Sequence, residues 1–195
     1  MDVALEVTDK ELIKLCKRKK REGFDLLFQK YQRYIYKICY FYASSKDDSL
    51  DLMQEIYLKV FKSLDNFDED KALLPWIKRI TVNTCINFLK KNNKGIISLN
   101  ESTVSNEEPL ELKLASSEST EQHLIYQDTK KIVENSIQEL PNEMRMAIIL
   151  RHIKGYSYKT ISDLMSCPEG TVKTYIHRGR NLLKESLIKK GIWEV

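Results

Sequence analysis

Between residues 170 and 184 the chain carries Thr171, Lys173, Thr174, His177, Arg178, Arg180 and Lys184, and no Asp or Glu. Cations and hydroxyls at this spacing can lie along a row of phosphates and reach base edges in a DNA major groove. On a helix, Val172, Ile176 and Leu183 fall inward and leave the polar set facing out. Thr171, Lys173 and Thr174 stand near the start of that helix, where base contacts concentrate. Arg178, Arg180 and Lys184 are better placed for phosphates. A solvated basic helix is the plain alternative, and the preceding residues weigh against it. Ser157 can cap a short helix over about 158–165, with Ile161, Leu164 and Met165 inward, and Ser166-Cys167 supply a tight turn. A short helix, a turn of about three residues and a longer helix make a helix-turn-helix. His177 has no second His or Cys at ligand spacing, so no metal is expected.

Two further groups lie upstream. Asp51, Gln54 and Glu55 share an exposed helical face, with Asp51 and Glu55 one turn apart. Like charges at that spacing cost a helix a few tenths of a kcal/mol, which a cationic partner would relieve. Farther on, Lys78, Arg79, Asn83, Asn87, Lys90 and Lys91 are spread along a helix that opens with Pro75-Trp76. The loop in front of it, Asp65–Asp70, offers Asn66, an amide that both donates and accepts. Its four acidic residues would repel phosphate, which favours a base over a backbone contact. Trp76 and Phe67 read as packing residues. Tyr31, Tyr34, Tyr36, Tyr40 and Tyr42 cover several faces of one helix, so helix packing suits most of them better than base stacking.

These groups need helices to hold them. With 6 Gly and 4 Pro in 195 residues the chain has few breaks, and its 42% hydrophobic content suffices for a packed core. Thr8 and Glu11 form a capping box for a first helix that stops near Gly23. Apolar periodicity predicts further helices over about 24–43, 49–64 and 73–91, with the polar stretch 44–48 as a break. Periodicity collapses from about 92 to 119 and returns in helices over about 121–140, 142–153, 158–165 and 168–190. The expected fold is all-α: two small helical domains, 1–94 and 121–195, joined by a flexible acidic linker, 95–120, with the helix-turn-helix in the second.

Charge follows the same division. Residues 1–94 hold 19 Lys/Arg against 14 Asp/Glu, residues 95–121 hold 1 against 6, and residues 122–195 hold 12 against 8. Two basic blocks around an acidic connector suit two surfaces that face a polyanion. Cys16, Cys39, Cys85 and Cys167 form no CxxC pair, as expected of thiols in a reducing compartment. With no signal peptide and no membrane-length apolar run, a cytoplasmic protein is expected. No Gly-rich phosphate loop, catalytic dyad or cofactor motif is present, so neither catalysis nor a cofactor is expected.

At this point the residues resemble a known family. Leu140-Pro141-Asn142-Glu143-Met144-Arg145, Gly155-Tyr156-Ser157-Tyr158, Pro168-Glu169-Gly170-Thr171-Val172-Lys173-Thr174 and His177-Arg178-Gly179-Arg180 resemble the fourth domain of extracytoplasmic-function (ECF) sigma factors. Asp51-Leu52-Met53-Gln54-Glu55 resembles the polymerase-docking motif of their second domain. Pro75-Trp76-Ile77-Lys78-Arg79-Ile80-Thr81-Val82-Asn83 resembles the helix that melts and reads the −10 element. The resemblance implies a non-enzymatic subunit that directs core RNA polymerase to promoters. Asp51, Leu52, Gln54 and Glu55 would meet the clamp helices of the largest polymerase subunit. Asn66, Lys78, Arg79, Asn83, Asn87, Lys90 and Lys91 would engage the −10 strand, with Asn66 taking an extruded base. Thr171, Lys173, Thr174, His177, Arg178 and Arg180 would read −35 duplex DNA. It also implies an anti-sigma partner, often membrane-bound. Tyr175 departs from the pattern, since Arg is frequent there, and Asn87 and Lys90 stand where Asp and Arg are common. Fully extended, the linker spans roughly 85–95 Å, comparable to about 25 base pairs. The alternative is a stand-alone helix-turn-helix regulator, which accounts for residues 157–190 and leaves the docking motif and the Trp-bearing helix unexplained.

Overall fold

The computed structural model describes residues 7–43, 45–92 and 120–192, and within these nothing of the side chains of 89–92 and 120–125. All regular elements there are helical: α1 (Asp9–Lys17), α2 (Arg21–Tyr42), α3 (Lys46–Leu64), α4 (Leu73–Asn92), α5 (Thr120–Gln138), α6 (Asn142–Ile148), a π-helical continuation of α6 (Ile149–Ile153), α7 (Tyr158–Met165) and α8 (Glu169–Lys189). The all-α expectation holds. Of the acidic linker over 95–120, only Thr120 falls within the described residues. Among the described residues no helix is long and apolar enough to cross a membrane.

The chain starts α1 as its sequence dictates. The Thr8 hydroxyl accepts from the Glu11 amide, and the Glu11 carboxylate accepts from the Thr8 amide at 3.1 Å. The stop differs from expectation. Lys19 takes the left-handed turn, at φ 55°, and Gly23 lies inside α2. Its missing Cβ serves a crossing instead, because a Cβ there would meet the backbone of Leu15 and Cys16 at 2.8 Å. Gly23→Ala should therefore destabilise the chain by about 1–3 kcal/mol, with the thermal midpoint falling roughly 2–4 °C per kcal/mol. An unchanged melt would show that α1 and α2 can part there without loss. Ser45 accepts from the Asp48 amide and begins α3 three residues earlier than periodicity suggested.

Helices α1–α4 close around Leu12, Ile13, Leu27, Ile35, Ile56 and Ile77, all 0–1% exposed. In the second set, α8 crosses α6 at Gly179, where a Cβ would lie 3.0 Å from Ile148 Cγ1. Ser157 caps α7 by accepting from the Thr160 amide, and Ser166, at φ 53°, makes the left-handed turn into α8. The Ser162 hydroxyl fixes that turn by donating to the Cys167 carbonyl at 2.6 Å.

The two sets also pack on each other, α4 against α6 and α7, and α2 against α5 and the π-helical segment. Arg145 is 6% exposed in this seam. Its guanidinium donates to the carbonyls of Tyr42 at 2.7 Å, Leu140 at 3.1 Å and Gln138, and lies 5.5 Å from the Tyr42 ring centroid. Those carbonyls lie at the C-terminal ends of α2 and α5 or just beyond, where helix dipoles leave partial negative charge, so the buried cation is compensated by backbone. Burial holds Arg145 below the usual arginine range. The Tyr40 hydroxyl meets Glu134 at 3.3 Å, and the Tyr42 hydroxyl meets the Asn142 carbonyl at 3.5 Å. Most of the α2 tyrosines do pack, as expected, and three of them do so across the chain's two halves.

Candidate nucleic-acid and partner interfaces

Three surfaces carry the residues singled out by sequence. On α8, Val172, Ile176 and Gly179 are buried, while Lys173, Thr174, His177, Arg178 and Arg180 are exposed and Thr171 is half-buried. The expected outward row is therefore a real face. Thr174 donates its hydroxyl proton to the Gly170 carbonyl at 2.9 Å, which leaves its oxygen as an acceptor toward solvent. Tyr175 is not in that row. It is half-buried on the flank turned to α4, in a cleft shared with Asn83, Asn87, Met165 and Cys167.

His152, which the sequence reading passed over, is exposed on the π-helical segment. Partial burial, then the neighbouring charges of Arg180 and Arg151, hold its pKa below the usual histidine value. A lone His has no pattern to flag it. Its electrostatic neighbour Arg180 stands on α8, next to Gly179, where α8 crosses α6.

The α4 group is partly open to solvent: Arg79 and Asn87 are exposed, and Lys78 and Asn83 are half-buried. Lys78 is half-buried between two tyrosine rings, with Nζ 5.6 Å from the Tyr34 centroid and 4.7 Å from that of Tyr156. Arg79 donates to the Ser166 hydroxyl at 3.0 Å. Asn83 and Asn87 line the cleft under Tyr175. The Lys90 and Lys91 side chains lie outside the described residues. Asn66 is exposed in the loop before α4, anchored by Phe67, which is 7% exposed and 4.6 Å from Trp76 between centroids. Both aromatics pack, as expected. The acidic residues of the loop are largely answered from within the chain: Lys10 pairs with Asp70 at 3.0 Å, Lys17 with Glu69 at 3.3 Å and Lys71 with Asp68 at 3.6 Å. Its repulsion of phosphate is weaker than a bare count of charges suggests.

On α3, Asp51 and Gln54 are exposed, and Glu55 is half-buried and paired with Lys59 at 2.6 Å. Lys59 in turn donates to Thr84 at 3.3 Å, which draws Glu55 toward α4. Leu52 is 0% exposed, so it cannot touch a docked partner. Helical periodicity turns it into the core beside Ile56. The apolar residues that do reach the surface are Leu50 and Leu58, 43% and 50% exposed. Their spacing with Gln54, four residues either way, puts them on one stripe. That signal is present in the sequence.

Family models match both halves: Sigma-70 region 2 over residues 27–95 and Sigma-70, region 4 over residues 130–183. The RNA polymerase sigma-H factor of Pseudomonas aeruginosa is 32% identical over 92% of this chain and 93% of its own length. The ECF RNA polymerase sigma-E factor of Escherichia coli K12 is 32% identical over 91% and 93%. The chain belongs to the ECF RNA polymerase sigma factor family. Among solved structures, CnrH in complex with the cytosolic domain of CnrY superposes at TM-score 0.59 with 16% identity, over 93% of this chain and 97% of that one. The sigma factor RpoE of Bartonella quintana, in complex with the anti-sigma factor NepR, gives 0.58 with 21% identity, over 85% and 97%. These two likenesses establish a shared fold. The matched segments fall one in each helical set, so α3 and α4 belong to region 2 and α7 and α8 to region 4.

Proposed function

We propose that this sigma factor docks on core RNA polymerase through α3 and directs initiation at promoters whose two elements it reads with α4 and α8. The carrying observation is the α8 face: five exposed polar or cationic side chains over a buried apolar flank, in the second helix of a helix-turn-helix. Residues 1–94 form the docking and −10 unit, residues 121–195 the −35 unit, and residues 95–120 the tether between them. Asp51 and Gln54, with Leu50 and Leu58 beside them, meet the clamp helices of the largest polymerase subunit, and Glu55 steers from the edge. Asn66 takes a base of the melted strand, and Lys78, Arg79, Asn83, Asn87, Lys90 and Lys91 hold its backbone and bases. The chain carries out no catalysis of its own and works in the cytoplasm. As in the complex of Bartonella quintana RpoE with NepR, a partner of anti-sigma type is its natural restraint.

The test is promoter-directed run-off transcription with bacterial core polymerase, beside co-purification of the two. A folded chain that fails to bind core polymerase, yet binds a specific duplex, would instead be a stand-alone regulator.

His152 adds a dependence on pH. Phosphate beside it would favour the charged imidazole, whose pKa is depressed in the free protein, so DNA binding takes up a proton. Duplex affinity should rise as pH falls from about 7 to 5.5. His152→Gln should flatten that rise, measured against His177→Gln in anisotropy titrations. An unchanged slope in His152→Gln would take His152 off the DNA path.

A further inference from the structure

Lys17, Arg18, Lys19, Lys20 and Arg21 follow one another without interruption at the turn between α1 and α2. All but Lys17 are exposed, and among the described residues Arg18, Lys19 and Lys20 enter no ion pair. Arg21 lies 3.7 Å from Asp25 with 95% of its side chain exposed, a pairing that water and salt largely screen. The docking, −10 and −35 surfaces all leave this turn unused.

Local structure does not require cations here. The turn is a Schellman motif: the Lys20 amide donates to the Leu15 carbonyl at 3.2 Å, and the Lys19 amide to that of Cys16 at 2.8 Å. Its left-handed residue is Lys19, at φ 55°, where glycine is the usual occupant because a Cβ is strained there. Lys20 then stands at the N-cap of α2 and makes no side-chain capping bond, where Ser, Thr, Asp or Asn would. Arg21 opens α2 at the positive end of its dipole. The negative end of the α1 dipole accounts for Lys17 and Arg18, and for none of the three that follow. Three local preferences give way, each in favour of positive charge, and departures of this kind collect at binding sites.

The tertiary structure puts the turn beside the loop before α4. Helix α1 runs antiparallel to that loop: Asp9 accepts from the Leu73 amide at 3.4 Å, Lys10 pairs with Asp70 at 3.0 Å, and Lys17 Nζ donates to the Phe67 carbonyl at 2.9 Å. The end of α1 that carries the cations is therefore the end next to Asn66. Lys17 is committed to Phe67 and Glu69, and the exposed cations after it are not.

We propose that Arg18, Lys19, Lys20 and Arg21 form a phosphate-binding site for promoter DNA, holding the backbone of the strand beside the base that Asn66 takes. Its place next to that base rests on the reading of Asn66 in the proposed function; the attraction of the turn for phosphate does not. The loop's own carboxylates disfavour phosphate, so the backbone contact comes from the neighbouring element.

Lys19→Gly with Lys20→Ser, in the full-length chain, replaces two of these cations by residues that the local geometry prefers. The thermal midpoint should hold or rise. Binding to a labelled, mixed-sequence single-stranded DNA of about 20 nucleotides should weaken about tenfold, and the slope of log affinity against log salt should fall by about 1.4, as expected for two phosphates. Arg18→Ala, which alters neither special backbone position, should lower that slope by about 0.7. Asn66→Ala should weaken the same strand with the slope unchanged, because a base contact releases no counterion. Loss of affinity in the turn variants and none in Asn66→Ala would uphold the phosphate site and overturn its place beside a captured base. Undiminished affinity and slope in both turn variants would overturn the site itself. Intact strand binding with lost binding to vesicles rich in phosphatidylserine would assign the turn to a membrane surface instead.

Discussion

Asp51→Arg should weaken binding to core RNA polymerase by about a hundredfold while leaving thermal stability unchanged. Asp51 is exposed on α3, and among the described residues no cation of the chain is seen paired with it, so reversing its charge removes little from the fold. At the interface the change is twofold: an attraction to a cationic partner is lost and a repulsion takes its place. Truncating a central interface residue typically costs 2 kcal/mol or more, about thirtyfold, and the repulsion adds to that. Leu58→Ser, on the same stripe, should give a smaller loss of about tenfold through lost apolar contact. Leu52→Ala separates docking from folding. At 0% exposure it should cost about 2–5 kcal/mol of stability, and it should reduce polymerase binding only as far as the chain unfolds. Full affinity in Asp51→Arg, read by fluorescence titration of labelled core enzyme, would remove α3 from the interface.

Lys173→Ala should reduce promoter-directed initiation about 5- to 150-fold, the equivalent of a lost base contact of about 1–3 kcal/mol. Arg178→Ala should act differently, because a phosphate contact carries no sequence information. Its loss should weaken binding to all duplexes alike and lower the slope of log affinity against log salt by about one. Neither residue touches α3, so polymerase binding should survive in both. The physical basis is the exposure of both side chains on the face opposite Val172 and Ile176, which pins the helix orientation through its buried flank. Full promoter activity in both variants would mean that α8 presents another face to DNA.

How much of this was legible beforehand follows from the range of the forces involved. The capping box of Thr8 and Glu11, the Ser157 cap, the turn at Ser166 and the inward flank of α8 each depend on residues three or four apart. Local backbone geometry fixes such pairs, so the sequence by itself determined the helices, the helix-turn-helix and its outward row. The ordered motifs determined the family in the same way. Gly23 was misread because a glycine near a helix end looks like a stop. Its actual role, admitting the α1 backbone, depends on where another helix crosses. Leu52 was assigned to docking by its place in a motif, although its own periodicity turned it inward.

The seam could not be read at all. That Arg145 is the buried arginine, that Tyr34 receives a lysine from each half, that Tyr175 faces α4 and that Arg79 is held by Ser166 all pair residues tens of positions apart. No spacing rule connects such residues. Which cation is buried depends on where free helix-end carbonyls converge, and which ring is stacked depends on how two apolar faces meet. Only the tertiary structure decided that Lys78 and Asn83 of α4 lie half-buried against the second helical set while the polar row of α8 lies open, because cover arises from packing between surfaces and not from periodicity within them.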